Sequence, residues 1–138
     1  MANFEVKFKR VVTDPKNGKE KEVKESFLVE GKEMFGEAEA EVLAYFNDAE
    51  ILSVSKTKIV EVLNYPSGED KIHLRVFKAI LASTFIDDDG EEKETKYPVV
   101  LWASNLDDAF IKVKEHIRQG YDDMNINSIT KTNLKEII

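Results

Sequence analysis

Apolar and polar residues alternate at the start of the chain, with Phe4, Val6 and Phe8 separated by Glu5 and Lys7 and followed by Lys9. A period of two is that of a strand with one buried face. Asp14-Pro15-Lys16-Asn17-Gly18 follows. Asn-Gly supplies positive φ, so a turn is predicted here. Val23, Phe27 and Val29 mark the return strand. The period then changes. Phe35, Ala38, Val42 and Tyr45/Phe46 recur at the spacing of a helix stripe. Gly36 is its predicted N-cap, and Glu37 and Glu39 stand where the helix dipole favours acids. A strand containing Ser53 closes the unit.

The same order returns. Leu74, Val76 and Phe77 open a strand, Asp87-Asp88-Asp89-Gly90 turns it, and Tyr97, Val99 and Leu101 bring it back. Ser104-Asn105-Leu106-Asp107 resembles a capping box with Asp for the usual Glu. Leu106, Ala109, Phe110, Val113 and Ile117 form the helix stripe, and Gly120 fits its stop. A strand containing Ser128 ends the order. The closing strands also match residue by residue. Ser53-Val54-Ser55-Lys56-Thr57-Lys58-Ile59-Val60-Glu61-Val62-Leu63 lies 75 positions before Ser128-Ile129-Thr130-Lys131-Thr132-Asn133-Leu134-Lys135-Glu136-Ile137-Ile138. Ser, Lys, Thr and Glu recur unchanged, and five further pairs keep their chemistry.

The predicted fold is therefore α+β, a tandem β-β-α-β repeat of antiparallel sheet with two helices packed on one face. The first repeat covers 1–65 and the second 66–138, divided near Asn64-Tyr65-Pro66-Ser67-Gly68. A unit of roughly 65 residues buries too little surface to be stable alone, so the two are expected to share one core as a single domain. Val54 and Ile59 are five apart, as are Ile129 and Leu134. A bulge at Lys56-Thr57-Lys58 and at Lys131-Thr132-Asn133 would return each pair to one face. Pro98 inside a strand pattern predicts an edge or a bulge.

Composition narrows the function. The chain has 138 residues, no cysteine and a net charge of −7. Missing cysteine removes disulfides, thiolate metal sites and thiol catalysis. The negative balance makes broad binding to double-stranded nucleic acid an unlikely partner class. No apolar run approaches the ~20 residues of a membrane span. Met1-Ala2-Asn3-Phe4 enters directly into a strand pattern, so no signal peptide and a cytoplasmic location are expected.

Candidate chemistry is sparse. His73 and His116 are isolated, without a second histidine at metal-ligand spacing. Asp87-Asp88-Asp89-Gly90 fails the calcium-loop pattern because Phe85 stands at its first position. No phosphate loop or nucleophile elbow is present. Asp107/Asp108 suit a helix start, Asp122/Asp123 form another carboxylate pair, and Glu61 and Glu136 read as edge charges. The repeated polar pair is Lys56-Thr57 with Lys131-Thr132. Two ammonium groups and two hydroxyls meeting across a pseudo-two-fold axis would suit an anion. Edge-guarding lysines and β-favouring threonines give the same pattern without a ligand. Tyr97 and Trp102 offer rings for a planar ligand or a partner, or fill the core. No metal and no cofactor is expected.

Phe4 to Phe8, Phe27-Leu28-Val29, Glu37-Ala38-Glu39-Ala40, Ala103-Ser104-Asn105-Leu106 and Ser128-Ile129-Thr130-Lys131-Thr132 carry a resemblance over nearly the whole chain. It is to an uncharacterised domain-of-unknown-function family from Bacteroides-group gut bacteria and their phages. Gly36 departs from the family, whose members tend to carry Thr as helix cap. The resemblance implies a small intracellular protein with no catalytic residues to carry over, and a phage accessory role engaging a host factor. The expected function is a non-catalytic binding or assembly protein, not an enzyme, with a protein partner or a second copy as its ligand. The alternative is sequestration of a small anionic signalling nucleotide by Lys56, Thr57, Lys131 and Thr132, with its base on Tyr97 or Trp102.

Overall fold

A computed structural model describes residues 1–120 and 123–138. The described residues divide into two compact units. Unit 1 is Met1–Lys58 with Asn133–Ile138, and unit 2 is Ile59–Thr132. The α+β class holds, with a four-stranded sheet in each unit.

Unit 1 begins with β1 (Ala2–Thr13) and β2 (Glu20–Lys32), an antiparallel hairpin. Its turn is built as the sequence requires. Gly18 has φ +68°, its N–H donates to the Asp14 carbonyl (2.8 Å), and Asp14 Oδ1 accepts from Lys16 N–H (2.8 Å). Helix α1 (Phe35–Tyr45) leads to β3 (Glu50–Lys56), which pairs antiparallel with β1. The alternating Phe4, Val6 and Phe8 of β1 meet Phe27 and Val29 of β2 under Ala38 and Val42 of α1. Aromatic rings interlock there, Phe8 with Phe27 edge-on at 5.0 Å. On the sheet's polar face Lys9 lies between Glu50 (3.2 Å) and Glu22 (3.6 Å). These carboxylates, Glu50 first, raise the ammonium above its usual pKa.

Unit 2 opens with β4 (Glu61–Val62) and one helical turn, α2 (Gly68–Lys71). β5 (Arg75–Ile86) and β6 (Glu92–Ala103) form its hairpin, followed by α3 (Leu106–Arg118) and β7 (Met124–Lys131). Gly90 has φ +80° in the hairpin turn, where Asp87 Oδ1 accepts from Asp89 N–H (3.0 Å) and Glu91 N–H (2.9 Å). The core repeats that of unit 1: Phe77, Ala79 and Leu81 against Val99, Leu101 and Ala103, under Ala109 and Val113. The chain ends in β8 (Leu134–Ile137).

The strand ends differ from the sequence expectation. Lys56-Thr57-Lys58 and Lys131-Thr132-Asn133 are not bulges. They are the places where the chain leaves one unit for the other, so Val54 lies on a strand of unit 1 while Ile59 opens unit 2, ahead of its first strand. β8 joins unit 1 beside β2, and β4 joins unit 2 beside β6. Both of these pairings are parallel, whereas the rest of each sheet is antiparallel. The compact units thus do not follow the repeat boundaries 1–65 and 66–138: each takes its last strand from the other repeat. The true bulges come earlier in the strand. Lys7 and Phe8 pair with Ser53 and Ile51, leaving Leu52 extra, and Ile80 and Leu81 pair with Ser128 and Ile126, leaving Asn127 extra. Leu52 and Asn127 are again 75 apart.

Pro98 lies on β6, an inner strand, where an edge or a bulge was expected. It stands just before Val99–Val100, the two residues that β4 pairs, so β6 is an edge up to that point. Its carbonyl accepts from Val60 N–H (2.9 Å).

Candidate functional site

The duplicated Lys-Thr pairs occupy equivalent positions, one in each unit. Lys56 and Lys131 are exposed ends of β3 and β7, opposite Phe4 and Phe77. The threonines follow. Thr57 Oγ1 donates to the Asn3 carbonyl (2.7 Å), which also accepts Thr57 N–H (2.9 Å). Thr132 Oγ1 and N–H bind the Val76 carbonyl in the same way (2.8 and 3.0 Å). Each hydroxyl thus clamps the chain where it departs from the sheet.

Tyr97 and Trp102 lie five residues apart on a regular strand, so their side chains leave opposite faces. Tyr97 packs against the unit 2 core. Trp102 is 4% exposed, too deeply buried to stack on a ligand from solvent. Asn64 secures its backbone by accepting from Trp102 N–H (2.8 Å) and donating to the Trp102 carbonyl (2.9 Å).

His73 is exposed, and His116 Nε2 faces Glu61 Oε2 at 3.7 Å. Among the described residues no group of three His, Cys, Asp or Glu is placed to hold a metal ion. Asp122 lies outside the described residues; Asp123 accepts from Ser83 Oγ (3.2 Å). At the start of α3 the cap is Asn105, whose Oδ1 accepts from Asp108 N–H (2.8 Å). Asp108 Oδ2 in turn accepts from Ser104 N–H (2.9 Å). That backbone donor, with Lys112 Nζ at 3.2 Å, holds the Asp108 carboxyl below its usual pKa.

A different region of unit 2 has the form of a binding site. Between α3 and β7 runs an open groove of about 420 Å³, lined by Phe110, Lys114, Ile117, Arg118 and the Met124–Ile126 segment. Ile117, Met124 and Ile126 are half-buried and pack on the core, giving an apolar floor. Phe110, Lys114 and Arg118 are exposed along the helix, and the Lys114 ammonium lies 5.1 Å from the Phe110 ring centre. Ile111 beside them is 61% exposed. The sequence pattern assigned Phe110 to the core stripe; its position beside Ile111, off the Ala109–Val113 line, was the signal that the stripe was too wide to bury.

The repeat provides an internal comparison. Aligning α1 with α3 on their buried Ala-x-x-x-Val pairs (109 − 38 = 71) places Glu39, Leu43, Phe46 and Asn47 at the positions of Phe110, Lys114, Ile117 and Arg118. Aligning the following strands by 75 places Ala49, Glu50 and Ile51 at those of Met124, Asn125 and Ile126. At these aligned positions the aromatic ring and both cations occur only in the second copy, while α1 exposes its own rings, Phe35 and Tyr45, at the positions of Leu106 and His116.

The family model for a domain of unknown function, DUF4494, matches residues 2–138. The chain belongs to this family. The match spans both units and both strand exchanges, so the DUF4494 domain comprises the whole repeat. No curated protein matches the chain. Among the described residues no helix is long and apolar enough to cross a membrane.

Proposed function

We propose that the chain is a non-catalytic binding protein that engages a protein partner through the α3–β7 groove of unit 2. The observation that carries this reading is the divergence of the two copies. One scaffold is used twice, and where the first copy has Glu39, Leu43 and Asn47 the second has Phe110, Lys114 and Arg118, on an exposed face. An exposed aromatic ring gives the fold little, whereas aromatic and Arg side chains are favoured anchors in interfaces. Groups with reactive chemistry are engaged elsewhere: His116 faces Glu61, Asp108 holds a helix start and Asp87 shapes a turn. The resemblance to proteins of Bacteroides-group bacteria and their phages supports a cytoplasmic setting and a host protein as partner. Self-association is the other form of the same reading. Sequestration of an anionic nucleotide draws on the duplicated Lys56 and Lys131. Less supports it, because both threonine hydroxyls donate to backbone carbonyls and Trp102 is buried.

A photo-crosslinking residue placed at Ile111, and in a control at Leu52 of unit 1, tests the reading in the cells that make the protein. A discrete crosslinked product is expected from position 111 and not from position 52. A chain that forms no product at 111 and scatters light as a strict monomer would overturn it.

A further inference from the structure

We infer that the α3–β7 groove takes an extended peptide segment in which two carboxylates, two residues apart, adjoin a bulky aliphatic side chain. The inference rests on the reading of this groove as the partner site and adds the chemistry of its occupant. The floor of Ile117, Met124 and Ile126 offers an apolar side chain a dry contact continuous with the core. Lys114 and Arg118 are one helical turn apart on the rim, about 6 Å along the axis. In an extended chain, side chains two residues apart lie on the same side, about 6.6 Å from each other. An acid-x-acid pattern therefore matches the two cations, and Arg118 can take its carboxylate through two parallel N–H bonds. Among the described residues that line the groove the charged ones are Lys114 and Arg118, and on a chain of net charge −7 this lining favours an acidic partner over a basic one.

The edge strand does not do this work alone. β7 ends its sheet order, yet the bulge at Asn127 breaks its line one residue past the groove. Bulges of this kind blunt strand addition. Recognition is then by side chains in the groove, with at most a short backbone contact along the Met124–Ile126 segment.

The test is a selection of random decapeptides displayed on phage, run in parallel on the wild-type chain and on K114E/R118E. The best synthetic peptide is then measured by fluorescence anisotropy. Enrichment of acid-x-acid peptides with a neighbouring Leu, Ile or Val on wild type, lost on K114E/R118E, supports the inference. F110A should weaken the synthetic peptide roughly tenfold, and rising salt should weaken it further. Both mutated cations are exposed, and an unchanged thermal melt verifies the fold; K114Q/R118Q serves if the reversed pair does not fold. No enrichment, enrichment of basic or uncharged peptides, or equal enrichment on both proteins overturns it. So does concentration-dependent self-association abolished by K114E/R118E without any enriched peptide, which makes a second copy the occupant. A crosslink at position 111 together with any of these results leaves the partner site standing and removes only the acidic peptide.

Discussion

Thr57 and Thr132 each use one carbonyl twice, through the hydroxyl and the backbone N–H. The position explains why: the chain leaves its sheet there, and a second bond to the last carbonyl stops the strand end from fraying. Replacing either threonine by valine keeps the shape and β propensity but deletes the hydroxyl donor. Each substitution should cost about 1 kcal/mol in urea denaturation, with serine recovering most of it. Valine variants that unfold like wild type but lose affinity for anions would instead assign the hydroxyls to a ligand. The recurrence of Lys-Thr was legible in the sequence and its purpose was not. A clamp and an anion pocket both ask for a hydroxyl beside a turning backbone, and only the location of the Asn3 and Val76 carbonyls separates them.

The helices show the same limit one scale up. Their stripes were readable because Ala38–Val42 and Ala109–Val113 sit at helical spacing over a sheet. Their starts shifted by a residue or two, because a cap depends on where the backbone leaves the strand. Gly36 lies inside the first turn of α1, and the cap position is Met34, whose N–H donates to Glu37 Oε1 (3.1 Å). In α3 the cap is Asn105, and Asp108 accepts from the N–H of Ser104, one residue before the cap. Because the folded state holds Asp108 below the ordinary value of 3.8, its contribution is fully present above that pH. It is lost as the pH falls below 3.8 through the lowered folded value. D108N should therefore lose roughly 0.3–1 kcal/mol at pH 7, and the difference from wild type should fade in strong acid. Urea denaturation of both proteins at pH 7, 4 and 2 measures this. A difference that stays constant over the series would show that packing and not the carboxylate sets the cost. The groove beside α3 escaped the sequence for a related reason: Phe110 fits a helix stripe numerically, its place off the Ala109–Val113 line signals only that the stripe is wide, and the sheet beneath reveals which side is covered.

For the molecule as a whole, the repeat was legible and the exchange of strands was not. The match between the segments beginning at Ser53 and Ser128 fixes their equivalence, but Val62 and Ile137 only signal burial and carry no address for the strand they join. The address is a matter of pairing. β8 completes unit 1 through the parallel ladder to β2, with Ile138 N–H donating to the Leu28 carbonyl (2.8 Å) and Glu30 N–H to the Ile138 carbonyl (2.9 Å). β4 completes unit 2 in the equivalent way on β6, where Leu63 N–H donates to the Val100 carbonyl (2.9 Å). Cutting the chain between Tyr65 and Pro66 thus leaves neither fragment with a complete set of strands: 1–65 lacks β8 and carries β4 without its sheet, and 66–138 is the converse. At this size each fragment is already marginal, and losing a strand uncovers part of a sheet edge. The separate fragments should show weak, non-cooperative melts by circular dichroism. Mixed in equal amounts they should form a one-to-one complex that melts cooperatively, because each supplies the strand the other lacks. Deleting 133–138 from the second fragment should abolish the complementation of unit 1, and amide exchange would register this as lost protection along β2. Fragments that fold fully on their own, or that fail to associate, would mean that the exchanged strands contribute little and that each half of the sequence is sufficient for its own sheet.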